Sequence, residues 1–388
     1  MSTAVSTASP RAGSATSGPR RRRLGSTGIV YLALVGILVV SAGLVAAQGG
    51  SFFSQGNLFY LLSQTSLLGF VAIGQTFVIL CKSLDLSVGY VVAWSSLVAA
   101  TTMAGDPSRI WLGVVAALAV AAGVGLVNGL VISKLRVNSF IATLGVGLII
   151  KGYLDTQFKG PSGEVPKAFQ GFGYTRIGPV PVSVVVLAVV MVLGVVLLTR
   201  TRPGYHMFAV GGNIDVARLS GIRTDRSIIL AHVLCSLCAG IAGLLIAARF
   251  GTGNALVYTY GYDLNSIAAV VLGGTLLMGG RGSILGTIAG VLILASLDTV
   301  FNVLDVSPFF KDVLRGAIII AAVAMYARRQ IDPASSRARF KALAQSVRPG
   351  SRGGPGGASS PDRTGPAGPG SAAGPENPSA TTGKEATR

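Results

Sequence analysis

Charge is what this chain has least of. Only 12% of its 388 residues are Asp, Glu, Lys or Arg, against roughly 25% in soluble domains. That scarcity excludes an ordinary soluble fold. Carboxylates are rarest, 14 against 32 Lys plus Arg, so no pair of acids in an apolar site stands out for acid–base work. Cysteine is nearly absent. Cys81, Cys235 and Cys238 are the three present, which leaves no disulfide framework. The two histidines, His206 and His232, give no obvious nucleophile–base–acid triad and too few ligands for a zinc site. His232, Cys235 and Cys238 share one helical face at i, i+3 and i+6, and read as packing. The phosphate-cradling loop G-x-x-x-x-G-K-[ST] is missing; Gly383-Lys384-Glu385 lacks both the hydroxyl and the loop. No cofactor or enzyme chemistry is therefore expected.

Apolar residues take up the composition instead. They make up 51% of the chain, with a mean hydropathy of +0.64. Runs long enough to cross a bilayer recur. The expected fold class is an all-α polytopic membrane protein of about ten transmembrane helices. The runs fall at 27–47, 57–80, 86–104, 110–133, 139–158, 180–200, 227–250, 262–278, 283–303 and 308–328. Residues 1–26, ending in Arg20 to Arg23, and residues 330–388, with eight of the 17 prolines, cannot bury enough apolar surface to order themselves. They are read as disordered tails around a permease domain at 27–329. The first run is read as an uncleaved signal anchor held by the preceding arginines.

A net charge of +18 suggests nucleic acid, but no basic face is interleaved with aromatics as a stacking platform requires. The positive charge sits in tails and alternate loops, as the positive-inside rule prescribes. Lys134, Arg136, Arg200, Arg202, Arg218, Arg223, Arg226 and Arg328-Arg329 fall on one side, which puts both termini in the cytoplasm. The loop at 159–179, with Lys159, Lys167 and Arg176, fits less well.

Polar residues inside the spans are then the informative class, since a charge at the bilayer centre costs about 2.5–3.5 kcal/mol on insertion scales. Asp85 in "LDLSVG" is the clearest. It either lines a translocation path or caps the third helix near the membrane surface, paired with Lys82. Ser87, Asn128, Asn138, Thr143 and Asn265 are further candidates for a path or gate; a lone Asn between helices also serves as interhelical glue. "AIGQT…LDLSVG" (72–89) is echoed weakly by "VLGGT…RGSILG" (271–286), with Asp85 and Ser283 as N-cap candidates. The glycine-rich "GGRGS" (279–283) reads as close packing or a re-entrant break.

One polar stretch, "GGNIDVARLSGIRTDR" (211–226), lies between two spans. Gly211-Gly212 reads as a flexible approach and Asn213 as an N-cap. Asp215 suits the N-terminal end of a helix, Ala217 suits close contact, Arg218 can reach a carboxylate, and Gly221 can end the helix. By residues alone the stretch is either a docking element or a bare amphipathic loop.

Four blocks in order, "GQTFVILCKSLDLSVGYVVAWSSLVAA", "VNGLVISKLRVNSFIATLG", "AVGGNIDVARLSGI" and "IAAVVLGGTLLMGGRGSILGT", resemble the permease subunits of bacterial monosaccharide ABC importers of the ribose and xylose type. Branched-chain amino-acid permeases are less similar. Two departures stand out. Cys81-Lys82-Ser83-Leu84 replaces the usual T-G-G before the aspartate, and Asn213-Ile214-Asp215-Val216-Ala217-Arg218 replaces N-E-E-A-A-R. The resemblance implies a type II ABC importer-like permease in the bacterial cytoplasmic membrane. It implies a cytoplasmic ABC ATPase, an extracytoplasmic sugar-binding protein and a second permease subunit, identical or homologous, as partners. It also makes the loop containing Gly212, Asn213, Asp215, Ala217, Arg218, Ser220 and Gly221 the ATPase-coupling helix. The competing class is a secondary transporter or channel for a small polar solute, which would need more paired intramembrane carboxylates than Asp85 offers.

The tail composition generates a first test. Deleting 335–388, which lack any patterned apolar face, is expected to leave uptake per inserted permease unchanged. Loss of activity at equal expression would show that the tail binds something needed for transport.

Overall fold

The computed structural model describes residues 26–307 and, beyond them, 309–311, 313, 316, 317 and 320. Both tails apart from Ser26 lie outside the described residues, as does most of the tenth expected span, whose described positions are helical. The contacts divide the chain at Gln330, and all the described residues belong to the first unit.

Twelve α-helices are described. They are α1 (Ser26–Ala47), α2 (Gln55–Leu80), α3 (Val88–Met103), α4 (Ile110–Lys134), α5 (Ser139–Gln157), α6 (Lys167–Tyr174), α7 (Val182–Arg200), α8 (Arg202–Gly212), α9 (Ile214–Leu219), α10 (Thr224–Phe250), α11 (Tyr262–Leu272) and α12 (Ile284–Val303). A two-residue antiparallel ladder, β1 (Arg176–Ile177) with β2 (Val180–Pro181), turns the loop before α7 in register Arg176↔Pro181. Among the described residues seven helices are long and apolar enough to span a membrane: α1, α2, α4 with the turn before it, α5, α7, α10 and α12.

Two expected spans are corrected. The third is a 16-residue helix, α3, preceded by the non-helical residues 81–87. The eighth keeps only 11 helical residues, α11; residues 273–283 leave the helix. Glycine explains the second break. Gly274, Gly279 and Gly280 all adopt positive φ, between 72° and 85°, where other residues are strained. Ser283 then caps α12 as expected, its Oγ accepting from the Gly286 N–H at 3.0 Å.

α10 sits at the centre, wrapped by α2, α3 and α4. Small residues let the backbones meet, as is common between membrane helices. A methyl on Gly125 of α4 would lie 2.6 Å from the His232 carbonyl, and one on Gly74 of α2 would lie 2.8 Å from the Cys235 carbonyl. The His232–Cys235–Cys238 face is buried in this packing. α1 packs on α12 through Val30, Leu34, Ala289 and Ile293. Leu32, Val39, Trp111, Ile149, Val189 and Leu193 of α1, α4, α5 and α7 stay exposed. An apolar surface of that extent suits lipid rather than water.

The two breaks touch. The Gly280 N–H donates to the Leu80 carbonyl at 3.0 Å, and the end of α8 wedges between them. A methyl on Gly211 would lie 1.7 Å from the Leu80 oxygen and 2.5 Å from the Gly280 nitrogen. Gly211 and Gly212 are thus the last turn of α8, a tight joint rather than the flexible approach expected.

Gly211→Ala is expected to force backbone movement costing about 1–3 kcal/mol, the usual range for overpacking. Gly212→Ala, with nothing within 4 Å of its added methyl, is the control and should be neutral. Thermal unfolding in detergent compares them; equal midpoints would contradict the joint.

Candidate functional site

Residues 81–87 must leave no buried backbone donor unpaired. The chain meets this with side chains borrowed from α5. Ser139 Oγ accepts from the Leu84 N–H at 3.2 Å and Thr143 Oγ1 from the Leu86 N–H at 3.1 Å. Asp85 closes the turn on itself. Its Oδ1 accepts from the Ser87 N–H at 2.9 Å and from Ser87 Oγ at 2.6 Å. Asn128 Nδ2 of α4 donates in turn to Ser87 Oγ at 2.8 Å. Asp85 is not the N-cap of α3; Ser87 holds that position, without a side-chain cap bond. Asp85 stabilises the turn before it.

Lys82 does not partner Asp85. Its side chain is exposed, on a backbone with φ of 60°. The partner is His232 of α10, whose Nδ1 lies 3.2 Å from Asp85 Oδ2, both residues being 0% exposed. His232 Nε2 lies 2.9 Å from Ser83 Oγ. With Asp85 ionised, Nδ1 carries the proton and Nε2 accepts from Ser83; this tautomer follows from the network. The order Ser83–His232–Asp85 is that of a hydrolase triad, an arrangement not anticipated from the sequence. All three are buried, Ser83 to 5% exposure, and together they tie the α2–α3 turn to α10. Sequence reasoning missed His232 because a lone histidine on an apolar face gives no sign of a partner 147 positions away.

Asp85, Ser87, Asn128 and Thr143 thus form one buried cluster. Asn138 is exposed and caps α5, its Oδ1 accepting from the Phe140 N–H at 2.9 Å. Asn265 lies elsewhere, in a cavity with Gln64 and Arg249; the structure does not bring it to Asp85.

α9 is a short helix defined by its ends. Asn213 Oδ1 accepts from the Asp215 and Val216 N–H groups at 2.9 and 3.1 Å. At the other end the Ile222 N–H reaches the Ala217 carbonyl and the Gly221 N–H the Arg218 carbonyl, each at 3.0 Å. With Gly221 at φ 79°, this is a Schellman closure. Ala217, 3% exposed, is the helix's buried residue and joins the chain's own core. It therefore points inward, a correction to its expected contact with a partner. Val216 and Leu219 point outward instead, Leu219 at 89% exposure. Asp215, Arg218 and Ser220 are exposed with them. A cavity of about 440 Å³ separates α9 from the turn above, lined by Ser83, Lys82, Arg136, Asn138, Asp215 and Arg218 among others. Lys134 holds its rim through Asp225 at 3.0 Å.

Breaks stitched together inside a polytopic apolar bundle, with a capped polar helix on one face, define a membrane permease rather than a soluble binding module. Comparison with known proteins agrees. Residues 57–323 match the family described as "Branched-chain amino acid transport system / permease component". The ribose import permease protein of Escherichia coli (strain K12) is 38% identical over 302 residues, 76% of this chain and 93% of that protein. The ribose import permease of Bacillus subtilis (strain 168) is 37% identical, over 74% and 88% of the two chains. The xylose transport system permease of Haemophilus influenzae (strain ATCC 51907 / DSM 11121 / KW20 / Rd) is 31% identical, over 76% and 95%. No solved structure gives a significant match. The chain belongs to this permease family and is a multi-pass membrane protein.

The network generates a test at Asp85. In Asp85→Asn the amide oxygen keeps the Ser87 bonds, and the amide N–H₂ can face His232 once the ring proton moves to Nε2. Asp85→Ala leaves buried donors unpaired, which costs about 1–3 kcal/mol for each. Uptake at matched permease levels should fall far more in Asp85→Ala than in Asp85→Asn, and equally for every substrate. Two equally inactive variants would show that the charge itself is required.

Proposed function

We propose that this chain is the pore-forming permease of an ATP-driven monosaccharide importer, with α9 as the element that docks on a separate cytoplasmic ATPase. The observation that carries this is the outward face of α9. Val216 and the 89%-exposed Leu219 project beside Arg218 from a helix capped at both ends. Ile214, Val216 and Leu219 together make a small exposed apolar patch on a capped helix; it fits the apolar centre of a small protein interface, with Arg218 as its charged anchor. Support for a monosaccharide cargo comes from relatives named for ribose, xylose, galactose and L-arabinose.

In this reading both termini and α9 face the cytoplasm, as the basic loops favour. Two permease subunits enclose the path, and a binding protein delivers sugar to the outer face. ATP-driven movement of α9 reaches the end of α2 and the break before α12 through Gly211, which packs on Leu80 and Gly280. The Asp85 cluster, with Ser87, Asn128 and Thr143, acts as the gate's fixed turn, and Asn138 lines its inner mouth.

Leu219→Asp and Arg218→Glu are each expected to abolish co-purification of the ATPase and to lower uptake by about tenfold or more, as loss of an interface hot spot does. Neither should reduce the amount of inserted permease. Normal co-purification and uptake in both would rule α9 out as the docking element.

A further inference from the structure

A second group of polar residues lies at the other end of α10. A cavity of about 350 Å³ opens between α2, α10, α11 and α12. Gln64, Arg249, Tyr260, Tyr262, Asn265 and Asp298 supply its polar lining. Arg249 stands in the last turn of α10, and its Nη1 donates to Gln64 Oε1 at 3.3 Å. α10 has 27 residues, which puts Arg249 roughly 35 Å from the α9 end of that helix. If α9 is cytoplasmic, this cavity is at the outer face.

We propose that this cavity is the outer sugar site of the permease: it takes a neutral, polyhydroxylated ring of pentose size. The proposal rests on the monosaccharide-permease reading and assigns that reading its residues. The donor set is the reason. A sugar hydroxyl both donates and accepts, so its site needs both kinds of group. Arg249 offers N–H donors only, Asp298 accepts only, and the two amides and two phenols do both. One cation and one carboxylate leave the lining neutral overall, which suits an uncharged ligand. The Tyr260 and Tyr262 rings, 6.2 Å apart at 72°, offer apolar surfaces for the C–H faces of a sugar ring. The volume suits a small ligand. A zwitterionic amino acid would engage the two charged side chains but leave the two amides and two phenols without a use.

An arginine held half-buried in a membrane helix is costly to keep, and such residues mark functional paths. Gln64 engages one of its five donors. The side chain is held from below, where Gly173 of α6 packs on its stem and the Tyr174 hydroxyl donates to the Arg249 carbonyl.

The test uses Leu68→Cys, an apolar lining position, in the full transporter reconstituted in vesicles with its ATPase and binding protein. The three native cysteines are buried. A membrane-impermeant maleimide added outside should label Cys at this position. Millimolar D-ribose or D-xylose, added without the binding protein, should slow that labelling several-fold, and L-leucine should not. Adding Arg249→Gln should remove the protection by about tenfold, as loss of a hydrogen bond to a charged group does; Tyr262→Phe, which keeps the ring, should remove part of it. Both should leave ATPase co-purification intact. Unchanged labelling in the presence of both sugars, or protection by L-leucine instead, overturns the site. An assembled Leu68→Cys transporter that imports sugar while its labelling ignores sugar refutes the site alone. Failure of the native chain to import any monosaccharide refutes the permease reading itself.

Discussion

A carboxylate removed from water must be paired, and the pairing of Asp85 with His232 governs how this bundle is put together. The partner sits on α10, so α10 must lie against the turn between α2 and α3. That approach is possible only where backbones can nearly touch, and it is made at Gly74 and Gly125, which face the Cys235 and His232 carbonyls. The small residues and the Asp85–His232 hydrogen bond are therefore two aspects of one constraint. Burial of a lone charge costs several kcal/mol. Removing His232 would strand Asp85, whereas replacing the whole pair with apolar residues could be nearly neutral for stability. What the pair adds is a defined position for the turn relative to α10.

The turn itself is the second consequence. Residues 81–87 are non-helical, and Asp85 holds their end in a turn, with Oδ1 on Ser87 and Oδ2 on His232. Non-helical backbone at membrane depth survives only when buried in protein or beside water. Here α5 supplies Ser139 and Thr143 as acceptors, and the second break supplies Gly280 as a donor to Leu80. Each break thus completes hydrogen bonding that the other would lack. The weak sequence echo between 72–89 and 271–286 corresponds to two structurally similar places, a helix end followed by a break and a new helix, placed in contact.

Much of this was legible in the sequence, and the failures have physical causes. Long apolar runs identify the seven long helices because length and hydropathy decide a span. Asn213, Gly221 and Ser283 are legible because caps are local chemistry, fixed within three or four residues. Ala217 was misassigned because the direction a residue faces on a helix of six residues is set by its neighbours in space, here the core around α10. The outward Val216 and Leu219 follow from that rotation and carry no signal of their own in a chain rich in both residues. The eighth span was overextended because glycine is neutral on hydropathy scales, while its backbone leaves the helix at Gly274. His232 and the separation of Asn265 from Asp85 are tertiary facts, and nothing local encodes them.

The resulting layout places α10 between two polar sites of different character. At its Thr224 end, the cavity between α9 and the Asp85 turn carries Lys82, Arg136 and Arg218 against Asp215 and Asp225, an excess of cations. At its Phe250 end, the lining balances one cation with one carboxylate and is otherwise neutral and amide-rich. Coulomb interaction across roughly 35 Å is weak, so the two ends influence each other little through charge. They can do so through the helix. His232 lies about two turns into α10, where it ties that rod to the Asp85 turn, and Arg249 sits in its last turn. A shift of α10 that strains the His232–Asp85 contact also moves Arg249 relative to Gln64 on α2. The Arg249–Gln64 bond, at 3.3 Å, is the contact through which such a shift reaches α2 at the Phe250 end.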